Sequence, residues 1–359
     1  MDTPLNSDPR WTFPLRPSGG SLSDWSPAEI ADVVHALAER GATSVVLSDD
    51  DLVGPDGEPA DDALITVVPA LRAAGVRVAL AWPDVTTHPV FADGALCAAG
   101  KGVRRFALAK VLRFVDLAAA LGAETFVLHE SRGSGWGRDP FADAQRLREA
   151  VDAVTQYIYE QGFELRVAVV TGPGSLLLTA VEGLGFRAEL NQPEAVGIVS
   201  SGADLTGTAW AWGSTALTGV DLGRMNGDPL HQFRMIDLLE RGSLAGQMPF
   251  AGHLVFRFPA PAQISPEQYV ALASGAAARY GGLAQRVAQW HREPAVEEAL
   301  SSAELTVSLD PTFHPGETPA QLTHATDTGQ PEACSSTAQR LRQLTLLQAL
   351  GVEGKVSAR

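Results

Sequence analysis

The chain has 359 residues, 45% of them hydrophobic and 19% charged, enough apolar material to bury a large core in one barrel or two ordinary domains. A formal charge of −15 repels phosphate backbones and acidic membrane surfaces, and no Lys/Arg cluster interrupts it, so neither nucleic acid nor membrane is expected as a partner. No apolar run reaches the roughly 20 residues that span a bilayer, and "MDTPLNSDPR" lacks a secretory pattern. The two cysteines, Cys97 and Cys334, form neither a disulfide framework nor a zinc-ligand spacing, so a cytoplasmic protein with reduced thiols is expected.

Eight apolar runs of strand length recur in chain order: "WTFPL" (11–15), "SVVLS" (44–48), "VRVALAW" (76–82), "TFVLHE" (125–130), "RVAVV" (166–170), "RAEL" (187–190), "ALTGVDL" (216–222) and "HLVFRF" (253–258). Helical patterns lie between them. The first opens at Ser26-Pro27, an N-cap followed by proline, and closes at Gly41. "DDALITVVPALRAAG", "VRRFALAKVLRFVDLAAALG" and "FADAQRLREAVDAVTQYIYEQG" each end in glycine after a period near 3.6.

Eight strand–helix units with nearly continuous apolar strands predict an α/β fold, a closed parallel (β/α)8 TIM barrel over residues 1–293. An open doubly wound sheet is the alternative. It lacks a GxGxxG turn or P-loop, and "GSGWG" at 133–137 has the wrong spacing, so no cofactor is expected. Residues 294–359 break the rhythm and are expected to form an arm that packs on its own barrel or on a neighbouring subunit.

Barrel enzymes work at the C-terminal ends of their strands. There the second strand presents Ser48, Asp49, Asp50 and Asp51, the third Trp82 and Asp84, and the fourth His129 and Glu130 followed by Trp136. The fifth gives Thr171 and Gly172, the sixth Glu189 and Asn191, the seventh Asp221 and the eighth Arg257. Adjacent His129 and Glu130 must face opposite ways, so one of them looks into the mouth. Asp221 interrupts an apolar strand and needs a partner, and Arg257 could provide it as a structural ion pair or share a ligand with it.

Several stretches resemble bacterial xylose isomerase in order and interval: "GATSVVLSDDDLVGPDG", "VTTHPVFADGA", "VRRFALAKVLRFVDLAAALGAETFVL", "YIYEQGFELRVA", "AWGSTALTGVDLGRMNG", "MIDLLERG" and "AQWHREPAVEEAL". The resemblance implies a TIM barrel whose C-terminal arm wraps a partner, hence a homo-oligomer, dimer or tetramer. It also implies a sugar isomerase in which two divalent cations hold substrate oxygens. Most of the implied ligands are replaced here. The fifth-strand Glu-Pro-Lys-Pro falls on Val170-Thr171-Gly172-Pro173, and the sixth-strand Asn-Pro-Glu with its His falls on Asn191-Gln192-Pro193 and Val196, with Glu194 one place late. The seventh-strand Asp is kept as Asp221, with Asp228 alone in the loop after it, and the eighth-strand Asp falls on Arg257. The ring-opening His falls on Ser48, leaving its partner Asp51, while the sugar-packing Trp falls on His129 and a pocket Phe on Thr86.

Three functions follow. The first is a repurposed, metal-independent enzyme with no bound metal, isomerising, cyclising or dehydrating a small metabolite, in specialised metabolism for example. Its acid–base groups come from His129, Asp84, Glu130, Asp49 and Asp221, and Arg257, Trp82, Thr171, Ser48 and Trp136 hold the ligand. The second is a non-catalytic homologue that binds a ligand or partner subunit. The third is a metal-dependent sugar isomerase with relocated ligands at Asp221, Glu189, Glu194 and Asp228.

Overall fold

A computed structural model describes residues 10–17, 25–52, 60–131, 139–204, 208, 211, 214–222, 252–257, 264–291 and 294. The chain divides into two compact units, Met1–Gly281 and Gly282–Arg359. Of the second unit only the end of one helix and Pro294 are described, so the expected arm lies outside the described residues.

In the first unit, β1 (Arg10–Pro14), β2 (Ser44–Leu47), β3 (Arg77–Ala81), β4 (Thr125–Leu128), β5 (Arg166–Thr171), β6 (Val196–Ser201), β7 (Leu217–Asp221) and β8 (His253–Val255) pair in chain order. Every pairing is parallel, and β8 returns to β1, closing the barrel. Among the described residues five helices lie between strands: α1 (Pro27–Glu39), α2 (Asp61–Ala73), α3 (Lys101–Ala120), α4 (Pro140–Gln161) and α5 (Ala180–Ala188). A sixth, α6 (Pro266–His291), follows β8. None of the described helices is long and apolar enough to cross a membrane.

The local signals behave as their chemistry requires. Ser26 and Glu29 form a reciprocal capping box at the start of α1, with Pro27 at the first helical position. Gly41, Gly75, Gly122 and Gly162 follow α1 to α4 at φ between 66° and 89°, the left-handed region where glycine carries no Cβ penalty. Each helix buries one stripe, such as Ile30, Val33, Val34 and Leu37 on α1.

The sixth strand corrects the sequence reading. "RAEL" (187–190) is the end of α5 and its cap, and the strand is Val196–Ser201, reached through a 3₁₀ turn at Pro193–Ala195. Gly197 disguised it, since glycine weakens a strand pattern. The glycine is required because a Cβ there would lie 2.0 Å from Thr218 Oγ1, where β6 and β7 shift register.

Strand alternation stacks the barrel interior in levels. At the N-terminal end Thr12 Oγ1 hydrogen-bonds Ser44 Oγ and His253 Nδ1, each at 3.0 Å. His253 Nε2 lies 3.6 Å from Glu124 Oε2, and Glu124 also pairs with Arg77. Above this polar level lies an apolar cluster that includes Val46, Val127, Ala168, Val170, Val199 and Val255. The next inward positions open on the barrel mouth.

Candidate functional site

Counting two residues on from that cluster brings His129, Gly172, Ser201 and Arg257 to the mouth, with Trp82 beside them and Asp221 following inward-facing Gly219 on β7. The Arg257 guanidinium lies 4.1 Å from the centroid of the Trp82 ring. His129 stands edge-on to the same indole, with centroids 6.1 Å apart at 82°, and its Nε2 is 3.1 Å from Ser175 Oγ. Groups from β3, β4 and β8 and from the loop after β5 therefore meet on one side of the mouth.

Directly after β5 the inward position is empty for a steric reason. Gly172 has φ 135°, and a Cβ built on it would come within 2.3 Å of Ser201 Cβ. Any side chain there is excluded while Ser201 stands on β6.

Thr171 does not reach the mouth. It faces outward, its Cγ2 only 2.5 Å from where a Cβ on Gly183 of α5 would lie, and its buried hydroxyl has no hydrogen-bond partner among the described residues. The expected ligand contact is corrected accordingly: alternation gives the mouth to Gly172 and the helix layer to Thr171.

Glu130, the outward neighbour of His129, is buried and turned into the loop before α3. Its Oε1 accepts from Ala95 N at 2.8 Å and its Oε2 from Leu96 N at 2.7 Å. Burial holds its pKa above the usual carboxylate range despite these donors and the Cys97 thiol. It anchors a loop and does not line the mouth.

The acidic run forms a 3₁₀ turn, Asp49–Asp51, and its three carboxylates differ. Asp49 is buried, with Oδ2 2.8 Å from Lys110 Nζ and Oδ1 accepting from Asp84 N at 2.7 Å. Lys110, on α3, also donates to the Asp84 carbonyl at 2.6 Å. Asp51 lies 3.1 Å from Arg16 Nε and accepts the Ser48 amide at 2.8 Å. Burial pushes its pKa up to about 7 against the pull of Arg16. Asp50 is half-buried, and its pKa is pushed up to about 6 by burial and then by the charges of Asp49 and Asp84.

Asp84 is tied into its own loop. Its carboxylate accepts from the amides of Thr86 and Thr87 at 2.8 and 3.1 Å and from both threonine hydroxyls. Burial pushes its pKa up, but these donors outweigh it and the net shift is downward. Ser48 donates to Asp49 Oδ1 at 3.3 Å, within the turn it opens.

Other expectations resolve as follows. The ion pair Asp221–Arg257 is not formed among the described residues, because the guanidinium lies on Trp82 instead. Glu189, Asn191 and Glu194 precede β6 and so sit at the end of the barrel opposite the mouth. That removes Glu189 and Glu194 as relocated metal ligands. Trp136 and Asp228 lie outside the described residues. Among the described residues no three His, Cys, Asp or Glu side chains are grouped so as to hold a metal ion. Lys110, Arg16, Ser175 and Ser201 were not singled out in sequence. Ser201 was hidden by the misplaced strand, and the others form pairs across long sequence separations that no local pattern marks.

No protein-family model matches the sequence. Among solved structures the fold is similar to L-ribulose 3-epimerase, with TM-score 0.58 and 14% identity over 80% of this chain and 99% of that one. It is also similar to 3-keto-D-glucoside 4-epimerase from E. coli, with TM-score 0.55 and 13% identity over 76% of this chain and 100% of that one. A third likeness is to a xylose isomerase-like TIM barrel/4-hydroxyphenylpyruvate dioxygenase fusion protein, with TM-score 0.53 and 15% identity over 81% of this chain and 46% of that one. These likenesses bear on the fold alone, which is the closed parallel eight-stranded TIM barrel described above.

Proposed function

We propose that this barrel is a metal-independent acid–base enzyme that isomerises, cyclises or dehydrates a small metabolite. The observation that carries the reading is the ring of residues at the mouth. A pair of divalent cations needs several oxygen ligands converging there. The inward positions at the ends of β5, β6 and β8 hold Val170 and Gly172, Ser201, and Arg257. Of the carboxylates implied by the resemblance at the ends of β5 to β8, Asp221 on β7 alone remains among the described residues. This donor set does not fit two cations, and a guanidinium at the eighth strand opposes one by charge.

The groups that do face the mouth suit proton transfer. His129 is the proposed general base, its ring fixed by Ser175 Oγ and the edge of Trp82. Arg257 stabilises negative charge that develops on the substrate. Neighbouring solved structures include epimerases of sugars, which lends support to a small-metabolite isomerase reading at the level of reaction class.

One observation favours a second reading, a non-catalytic ligand-binding barrel: the carboxylates of Asp49, Asp84 and Glu130 are all committed to structural partners. His129→Ala separates the two, since it abolishes turnover in an enzyme and leaves a mere binder with little more than a change in affinity.

Metal content and thermal unfolding test the main reading. Purified protein is expected to hold far less than stoichiometric divalent metal and to show the same Tm with and without chelator. Stoichiometric metal together with a chelator-sensitive Tm would overturn it.

A further inference from the structure

We infer that the ligand of this mouth carries a carboxylate, gripped by the Arg257 guanidinium while that cation rests on the face of Trp82. The inference rests on the mouth being the ligand site, as proposed above, and does not require that the ligand be turned over.

Arg257 is half-buried at the end of β8, and among the described residues its side chain meets the face of Trp82. Among the described residues no hydrogen bond or ion pair engages its N–H donors. Partly desolvated guanidinium groups ordinarily meet a carboxylate or a set of carbonyls, because the lost hydration must be replaced. Asp221 is the nearest candidate in the strand register, paired with Val255 two residues before Arg257, and among the described residues it forms no ion pair with Arg257. The Trp82 indole N–H likewise has no hydrogen-bond partner among the described residues. His129 closes a further side, edge-on to the indole.

Stacking fixes the plane of the guanidinium and leaves its edges free. Two parallel N–H bonds along one edge match the two oxygens of a carboxylate. A phosphate dianion would need more donors than one guanidinium and one indole provide. It would also meet inward Asp221 and a chain of net charge −15. A single planar charge fits both the geometry and the field.

The test titrates the full chain with sodium acetate, sodium benzoate or sodium phosphate, exchanged against sodium chloride at constant pH and ionic strength. Tm and tryptophan fluorescence are followed, and a Trp82→Phe control isolates one of seven indoles. Acetate and benzoate are expected to give saturable responses in the wild type that weaken at least about tenfold in Arg257→Gln. Arg257→Lys should fall between them, because an ammonium keeps the charge and loses the planar fork, and it serves as the readout if the glutamine variant does not fold. No saturable carboxylate response in the wild type, an equal response in both variants, or tighter binding of phosphate than of either carboxylate would each overturn the inference. Carboxylate binding lost in Arg257→Gln by a protein that proves catalytically inert keeps this inference and removes the enzymatic reading. Turnover of an uncharged metabolite by a protein that gives no saturable carboxylate response does the reverse.

Discussion

Asp49, Asp50 and Asp51 show how one residue type meets three different sets of neighbours within a single turn. Lys110 and a backbone amide hold Asp49, Arg16 faces Asp51, and Asp50 has no hydrogen bond or ion pair of its own among the described residues. Burial and its two acidic neighbours raise the Asp50 pKa to about 6, above the value near 3.9 of an unfolded chain. The folded protein therefore binds that proton more tightly than the unfolded one. The stabilisation this provides is complete below about pH 4 and is lost as pH rises through 6, leaving a charged, poorly solvated carboxylate at pH 8. Asp50→Asn is expected to raise stability at pH 8 by roughly 1–2 kcal/mol and to change it little at pH 4. Denaturant melts at the two pH values check this, and an equal effect at both would count against it. Asp51 is shifted in the same direction, with its window extending to about pH 7.

At the scale of elements, β5 and α5 approach closely because one of them has no side chain at the contact. A Cβ on Gly183 would lie 2.5 Å from Thr171 Cγ2 and 3.1 Å from Ile198 Cγ2. Alanine is the better helix former by about 1 kcal/mol, but Thr171 is β-branched and held by its strand, so the clash outweighs propensity. Gly183→Ala should cost about 1–3 kcal/mol. Adding Thr171→Ala, which removes both the colliding methyl and an unpartnered hydroxyl, should recover most of the loss. Additive losses in this double-mutant cycle would show that the two residues are not in contact.

Element boundaries were legible wherever caps and periods agreed, as in α1 with Ser26 and Pro27, and in β2, where all four residues are buried and apolar or small. Legibility failed at β6, whose glycine and terminal serines are dictated by β7 and by Gly172, partners that no window of sequence contains. The same gap misassigned Thr171: with Gly172 blank, its neighbour looked like the residue on offer, although alternation had placed it under α5. At Arg257 the ion pair expected with Asp221 gives way to a stack on Trp82, because a charge pair can be guessed from strand order and such a stack cannot.

For the whole molecule, closure depends on a seam between the first and last strands. Thr12 of β1 bonds Ser44 of β2 and His253 of β8 with one hydroxyl, and the chain of contacts continues through Glu124 to Arg77. Thr12→Val preserves shape and removes that hydroxyl, leaving two buried partners short of a hydrogen bond. A loss of about 1–3 kcal/mol is expected, measured by denaturant unfolding. An unchanged midpoint would mean that strand pairing alone holds the seam. The eight-fold rhythm of strand and helix made this architecture readable in advance, since it depends on repetition along the chain. The mouth depends on what separate strands bring together, and there the reading was partial.

The contact between Gly172 and Ser201 also limits what can be built at the mouth. The resemblance assigns a lysine to position 172, yet a φ of 135° and a Cβ separation of 2.3 Å mean that Gly172→Lys requires a new backbone conformation and the removal of Ser201 together. Each change made alone passes through a strained or hollowed strand end. Two neighbouring strands together bar a side chain from this inward position, and no single substitution at Gly172 opens it.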